Sequence, residues 1–289
     1  MTKLAELLRL ETLSRGADGS SITYGAVIDE AFTIGPKVHG GSLQMVITRA
    51  ARAAFVDLAA PDADPALIEG VTAIAVASDF LAAPDPAAVS VEVSLIKRGR
   101  TVSLARVEVT QNERTMVTST VTLGRLDEGE PAYRAEGLLA GMPVEPAPDG
   151  LGVSDSPVGE VMHLGVAADF VLDAASFPVA RGEKGDPVIR GWVRAKDVDQ
   201  QPADLGLDLP VLVCDISPPV VMNLGLFGWA PTVQLTTYVR RFPAPGWLRY
   251  EASTVEVGRG MFSEDHLVVD STGAVVAQSR QLALIPARR

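Results

Sequence analysis

Asp215 is the residue whose type and position most directly suggest chemistry. It is the one acid in an apolar stretch from Val211 to Leu226, and Ser217-Pro218 follows it closely. A carboxylate set into such a run costs free energy unless it is paired, hydrogen-bonded or used in a reaction. An acid or serine shortly before a proline also opens many helices, so a helix-capping role alone would explain Asp215.

The segment His39-Gly40-Gly41-Ser42 is the second candidate. It precedes a run from Leu43 to Leu58, which is apolar on most of its surface at helical spacing and predicts a helix buried in a core. The two glycines allow another group to approach the amino end of that helix, where free amides attract carbonyl or phosphate oxygen. His39 could cap the helix or line a pocket, and capping is favoured.

The other histidines and the single cysteine indicate no metal site. His163 and His266 lie on different predicted strands, without the spacing of metal ligands. Cys214 is the only cysteine, which excludes an internal disulfide and a cysteine-based zinc site and favours a reducing cytoplasm. No cation adjoins it in the sequence, so we expect an inert buried thiol. No metal and no cofactor are predicted.

The overall composition is that of a soluble globular protein. Of the 289 residues, 47% are hydrophobic and 21% are charged. The net charge of −11 argues against nucleic acid or an anionic membrane as the main partner. The first 15 residues contain Glu and Arg where a signal peptide needs an apolar centre, so a cytoplasmic location is expected.

Hydrophobic periodicity predicts two similar sets of helices and antiparallel strands. In the first half, the pattern predicts a short amphipathic helix within 2–15, a strand within 20–32, the buried helix over 43–58, and strands over 71–80, 89–97, 101–110 and 115–123. In the second half, it predicts strands over 161–172 and 188–195, a helix from Asp215 to about Leu226, and strands over 232–241, 247–257, 261–269 and 274–285.

The two halves are related by an internal repeat. A shift of 159 positions, with no gap, brings identical residues into register over the strands that follow each helix. The matched pairs include Gly99/Gly258, Arg100/Arg259, Pro84/Pro243, Pro86/Pro245, Glu92/Glu251 and Ser94/Ser253. Matched prolines before one strand and a matched Gly-Arg turn after it indicate a duplicated unit.

The repeat predicts an α+β protein made of two fused units. Each unit is expected to be an antiparallel sheet wrapped around a long central helix. Residues 1–133 are predicted to form the first unit and residues 161–289 the second. Residues 134–160 contain four prolines and five glycines without a clean period and are interpreted as a connector.

This pattern resembles the acyl-CoA thioesterase II-like family, in which two hotdog units are fused in one chain. The resemblance covers roughly residues 4–285. The motifs that carry it in the first half are Val38-His39-Gly40-Gly41, Phe80-Leu81 followed by Pro84, and Val91 to Ser103 with Lys97-Arg98-Gly99-Arg100 inside it. In the second half they are Asp215, Pro231-Thr232, Trp247-Leu248-x-Tyr250 and Val275-Val276-Ala277-Gln278-Ser279-x-Gln281.

The resemblance implies hydrolysis of an acyl-CoA thioester to a free acid and CoA. In that family an Asp, a Ser or Thr, and a Gln orient and activate the attacking water, and these positions match Asp215, Thr232 and Gln281. The segment from His39 to Gly41 is expected to bind substrate through backbone amides. One departure is visible: better-known members read Thr-x-Asp-His where this chain reads Thr232-Val233-Gln234-Leu235.

Two other functions are compatible with these residues. A double hotdog protein that binds an acyl group or acyl-CoA without turnover is favoured by the lost Asp and His and opposed by the retained Asp, Thr and Gln. Hotdog-type enoyl-CoA hydratases carry an Asp-x-Asn-Pro-x-His motif, which the segment from Asp215 resembles at its start, but Val220 occupies the position of the histidine.

The Lys97–Arg100 and Arg240–Arg241 clusters are interpreted as solvated turn charges rather than CoA phosphate ligands. A homodimer is expected.

Overall fold

Thirteen of the described strands form one large antiparallel sheet with helices packed against it, and the other two form a small separate pair. The computed structural model describes residues 1–154 and 158–286. Its helices are α1 (Lys3–Leu7), α2 (Gly40–Asp57) and α3 (Leu209–Val213). Its strands are β1 (Glu11–Arg15), β2 (Ser21–Val27), β3 (Thr33–Ile34), β4 (Lys37–Val38), β5 (Thr72–Phe80), β6 (Ala88–Lys97), β7 (Ser103–Gln111), β8 (Arg114–Gly124), β9 (Leu151–Gly152), β10 (Ala168–Leu172), β11 (Val188–Ala195), β12 (Thr232–Val239), β13 (Leu248–Ser253), β14 (Met261–Val269) and β15 (Val275–Leu284).

The order of strands across the sheet repeats from one half to the other. From one edge it runs β1-β2-β6-β7-β8-β5, and it continues as β12-β15-β14-β13-β11-β10-β9. The two halves meet where β5 pairs antiparallel with β12. Strands β6, β7 and β8 are neighbours in the first half, as β13, β14 and β15 are in the second half. This arrangement confirms the predicted α+β fold of two fused units.

The register of the repeat is constant except in β15. Buried positions of β5, β6 and β7 recur 159 residues later in β12, β13 and β14, as the sequence predicts. In β15 the match lies one residue further on, because the buried row Val117, Ser119, Val121 and Leu123 of β8 corresponds to Ala277, Ser279, Gln281 and Ala283. A single-residue offset reverses the face of a strand, so this correction decides which side chains point inwards.

Helix α2 is the central helix of the first half. His39 is its N-cap residue: it has extended backbone, and its ring accepts a hydrogen bond from the amide of Ser42. Leu43, Val46 and Ile47 are at most 1% exposed, and so are Ala50 and Ala51 on other sides of the helix. A helix that is apolar almost all round must be covered on all sides. The predicted buried helix is confirmed.

The second central helix is short, and the prediction of a helix beginning at Asp215 is wrong. Helix α3 ends at Val213, and its start is set by Pro210 in the first turn. After Asp215, Pro218 and Pro219 lack amide hydrogens and cannot continue a helix, so the chain forms only a 3₁₀ turn over Val220–Leu224. Asp215 therefore follows a helix, and its own amide donates to the carbonyl of Leu212.

Near the amino terminus the helical prediction holds only for the first turns. Thr2 caps α1 as predicted, accepting a hydrogen bond from the amide of Ala5. The helix ends at Leu7, and the next residues form β1, an exposed edge strand paired with β2. Strand pairing supplies hydrogen bonds for this backbone, which one more turn of a short isolated helix could not stabilise as well.

Buried polar contacts join the two halves behind the sheet. Gln44 of α2 donates to the Ser78 hydroxyl at 2.9 Å and to the Leu235 carbonyl at 3.0 Å. The Thr237 hydroxyl donates to the same glutamine side chain at 2.8 Å. Because Ser78 lies on β5 while Leu235 and Thr237 lie on β12, one α2 side chain satisfies both strands at the junction.

The connection between β7 and β8 is a tight turn of two residues. Asn112 and Glu113 both have positive φ, 51° and 60°. Two consecutive left-handed residues form the turn type whose twist matches a β-hairpin.

Among residues 1–154 and 158–286, no helix has both the length and the apolar character needed to cross a membrane.

Candidate active site

The carboxylate of Asp215 lies against the amino-terminal end of α2. Its Oδ2 atom is 3.4 Å from Nε2 of His39, and only 7% of its side chain is exposed. The backbone amide of Gly41 also stabilises the charged form of this carboxylate. A Cβ atom added at Gly40 would stand 2.7 Å from Oδ2. The glycine pair therefore allows close approach to the helix end, as the sequence suggested, and the group that approaches is the Asp215 carboxylate.

His39 fixes this contact and is itself fully engaged. Its Nδ1 accepts the Ser42 amide at 3.2 Å, so the ring hydrogen belongs on Nε2. Nε2 lies 2.7 Å from the backbone carbonyl of Asp215 and donates to it. With both ring nitrogens hydrogen-bonded, His39 acts as a cap and a tether for Asp215, and it has no free lone pair with which to accept a proton.

Burial controls the protonation of Asp215. It raises the pKa of this carboxyl above its ordinary value, because the charged form loses its hydration, while the positive potential at His39 and the Gly41 amide oppose the shift. A carboxylate with a raised pKa that is still stabilised by an amide donor is suited to take a proton from water and return it later.

Thr232 and Gln281 belong to a second group of side chains, which are joined by hydrogen bonds. The Thr232 hydroxyl donates to Oε1 of Gln281 at 2.8 Å. The Gln281 amide nitrogen donates to Oε1 of Glu264 at 2.9 Å, and Oε2 of Glu264 accepts the Val220 amide at 2.9 Å. The resemblance implies that Thr232 and Gln281 act together with Asp215, and the structure places these two residues in contact with each other. In the described part of the chain, no hydrogen bond joins this group directly to Asp215.

The sequence interpretation does not name Glu264, and it considers His266 only as a possible metal ligand. Both point inwards from β14, and their side chains are 1% and 0% exposed. Burial raises the pKa of Glu264 to about 8, and the nearby charge of Asp215 adds to this shift, so the two carboxyls belong to one electrostatic environment. Burial lowers the pKa of His266 to about 3, which keeps its ring neutral.

The altered segment after Thr232 presents different side chains to the two faces of the sheet. Gln234, at the position of the family's acid, bonds Asp79 of β5 at 2.9 Å and faces away from the site. Leu235, at the position of the family's histidine, is fully buried. Of these two positions only that of the histidine faces inwards, and it is apolar here, while an acid and a histidine lie on the inner face two strands away, on β14.

The corresponding positions in the first half are apolar. Under the corrected register, Thr232, Glu264, His266 and Gln281 correspond to Ala73, Ala105, Val107 and Val121, all at most 4% exposed. A buried polar cluster is thus present at one end of the double unit, where α2 meets the second-half strands, and within the described residues both ring nitrogens of His266 are without a hydrogen-bond partner. Within residues 1–154 and 158–286, no group of three metal-ligating side chains occurs.

The remaining sequence candidates have structural partners. Ser279 donates to the carbonyl of Cys214, and burial raises the pKa of that thiol. Arg98 stacks over Phe55 at 4.1 Å and also donates to its carbonyl. Arg240 pairs with Asp127 at 2.5 Å. The thiol is therefore buried, as expected, and the two arginines are engaged with neighbouring side chains and backbone.

Comparison with known proteins places these features in a family. The acyl-CoA thioesterase N-terminal domain profile matches residues 28–124, and the acyl-CoA thioesterase C-terminal domain profile matches residues 140–285. An uncharacterized protein from Mycobacterium bovis is 39% identical over 282 residues, covering 90% of each chain. Its name carries no activity.

Solved structures agree over the whole length. A protein provisionally named thioesterase II from Thermobifida fusca is 27% identical, with a TM-score of 0.81 over 99% of this chain and 98% of that one. A protein of unknown function with a hot dog fold from Alicyclobacillus acidocaldarius is 19% identical, with a TM-score of 0.75 over all of both chains. The latter likeness supports the fold alone.

Proposed function

Because the chain belongs to the acyl-CoA thioesterase family, we propose that it hydrolyses an acyl-CoA thioester to a free acid and CoA, with Asp215 as the general base. The observation that supports this most strongly is the buried Asp215 carboxylate, held by His39 and the Gly41 amide at the amino end of α2. The hydrogen-bonded pair Thr232 and Gln281 comes from the strands of the same unit.

Each group has a definite part in this reaction. Asp215 accepts a proton as water attacks the thioester carbonyl carbon, and the positive end of α2 stabilises the oxyanion that forms. The carbon–sulfur bond then breaks, and the protonated Asp215 returns its proton to the leaving thiolate. Thr232 and Gln281 hold the water, because each oxygen in their hydrogen bond keeps a free lone pair. No covalent intermediate is needed.

The test is thiol release from a panel of short, medium and long acyl-CoA substrates. Wild type should release CoA from at least one of them. Asp215→Asn keeps the shape of the side chain but cannot take up a proton, so the rate should fall by roughly 10²- to 10⁴-fold. Asp62→Asn, an exposed loop change, is the matched control and should not alter the rate. An unchanged rate in Asp215→Asn would remove Asp215 from the mechanism.

Binding of acyl-CoA without turnover is the second candidate. The observation that favours it is Leu235, a fully buried apolar residue at the position where better-known members carry histidine. If wild type releases no thiol from any substrate but binds a non-hydrolysable acyl-CoA thioether in calorimetry, this function replaces the first. The hydratase alternative loses support, since both ring nitrogens of His39 are occupied and Val220 offers no base. The homodimer and the cytoplasmic location stay predictions.

A further inference from the structure

Glu264 occupies the central position of the inner face beside the candidate catalytic pair. Leu235, Gln281 and Glu264 are direct partners across β12, β15 and β14, so their side chains form one row. Glu264 accepts hydrogen bonds from Gln281 and from the backbone amide of Val220, both at 2.9 Å. It therefore ties the strand that carries Gln281 to the segment that follows Asp215.

The fold does not require an acid at this position. The corresponding residue in the first half is Ala105, which is fully buried in the same kind of sheet. A buried carboxylate loses its hydration and is costly to retain without compensation. The neutral ring of His266 supplies no counter-charge, so the two N–H donors carry the stabilisation. This local cost indicates that the acid serves the site rather than the packing.

The chemistry of the glutamine amide shows what the acid does. An amide can turn over, because its oxygen and its nitrogen occupy nearly the same space. An ionised carboxylate only accepts hydrogen bonds, so it requires the nitrogen of Gln281 on its own side. The oxygen of Gln281 must then face Thr232, whose hydroxyl donates to it at 2.8 Å. When Glu264 is ionised, its charge therefore selects one orientation of the amide.

We propose that Glu264 is a positioning residue that holds the Gln281 amide with its oxygen towards Thr232. It acts through Gln281 rather than on the substrate, and it lies in the same row as Leu235, the inward-facing position at which the family's Thr-x-Asp-His segment has its histidine. The proposal builds on the proposed thioesterase function, but the orientation of the amide can be measured without turnover.

The decisive experiment exchanges the two side chains. Glu264→Gln alone offers Gln281 an amide in place of a carboxylate, so the Gln281 side chain is free to turn over. In the double variant Glu264→Gln, Gln281→Glu, the amide at 264 donates to the carboxylate at 281, and that carboxylate still accepts from Thr232. Above the raised pKa of Glu264, the single variant should lose at least 10-fold in kcat with KM nearly unchanged, and the double variant should recover most of the loss.

The control is Asp265→Asn on the same strand. Asp265 faces outwards, where it pairs with the exposed Arg280, so its loss should leave kcat unchanged. Should Glu264→Gln fail to fold, Glu264→Ala takes its place, because Ala105 shows that alanine fits this position. A single variant with wild-type kcat, or a double variant no faster than the single one, would overturn the proposal.

A second readout separates this inference from the proposed function. In protein labelled with ¹⁵N at glutamine side chains, the Gln281 amide should exchange slowly with solvent in wild type and at least 10-fold faster in Glu264→Ala. Slow exchange in wild type without any thiol release would sustain the positioning and reject the thioesterase function. Equal exchange rates in the two proteins would reject the positioning, whatever the activity.

Discussion

Gly40→Ala should reduce activity strongly while leaving the fold almost unchanged. The new Cβ would lie 2.7 Å from Oδ2 of Asp215, and about 3.4 Å from two ring carbons of Phe80. Only the first distance is shorter than an ordinary contact, so the carboxylate must move by roughly 0.7 Å to restore van der Waals separation. The Asp215 side chain can relieve this contact by rotating its Oδ2 atom away from the new Cβ.

That movement costs catalysis more than stability. A displaced carboxylate loses its alignment with the Gly41 amide, and a displacement approaching 1 Å in a reacting group lowers rates by about 10²-fold. For the folded state, overpacking costs about 1–3 kcal/mol, which the greater helix propensity of alanine offsets by up to about 1 kcal/mol. We therefore expect kcat/KM to fall by about 10²-fold and the free energy of unfolding to change by less than about 2 kcal/mol.

Two other glycines provide matched controls. In Gly41→Ala the Cβ would lie 3.0 Å from the Leu212 carbonyl and 2.8 Å from the His39 ring, atoms that cannot rotate away as easily, so stability should fall as well. Gly260 has no atom within 4 Å of the added Cβ, and Gly260→Ala should alter neither quantity. The measurements are thiol-release kinetics and urea unfolding. A Gly40→Ala enzyme with wild-type kcat/KM would refute the placement of Asp215 at the reacting centre.

Three further predictions follow from charge and backbone geometry. Arg52→Ala should lower the free energy of unfolding by about 3 kcal/mol in urea melts, because it leaves the 2%-exposed Asp208 with a weaker partner at the junction of the halves. Glu113→Gly should raise the free energy of unfolding by about 0.5–1 kcal/mol in the same urea melts, because the φ of 60° at this residue suits glycine. If stability does not increase, the Glu113 side chain must itself stabilise the hairpin. For Glu264, the folded pKa is raised from 4.5 to about 8, so this group binds more protons in the folded state between those values. Its contribution to stability should therefore decline as the pH rises from 4.5 to 8, and this decline should be absent from Glu264→Ala.

The sequence predicts α2 and the strands well because their patterns are strong. An apolar helix of five turns and strands with strict alternation have few alternatives, and β11 and β14 begin and end where the pattern predicts. The second helix was misplaced because a proline pair after an acid was interpreted as a helix start. Pro210 is the proline that opens a helix, and the pair Pro218-Pro219 prevents one, a choice that the sequence pattern alone does not make.

The inward acid on β14 was missed because alternation gives no signal there. Ser263 and Asp265 point outwards while Glu264 and His266 point inwards, so polar residues stand on both faces. The repeat contains the information that alternation lacks. At a shift of 159 residues, Glu264 and His266 coincide with apolar residues of β7 that must face the core, and polar side chains at such positions indicate a site.

The asymmetry of the repeat explains why the polar groups gather at one end. The Asp215 site needs the amino end of a long helix from one half and inward strand residues from the other. The second half offers no such helix end, because Pro202, Gly206 and Pro210 reduce it to 3₁₀ turns and the five residues of α3. Without a helix end to stabilise a charge, buried acids opposite it would be costly, and the first-half strands carry Ala105 and Val107 there. The broken helix and the apolar strand positions are thus two consequences of confining the site to one end.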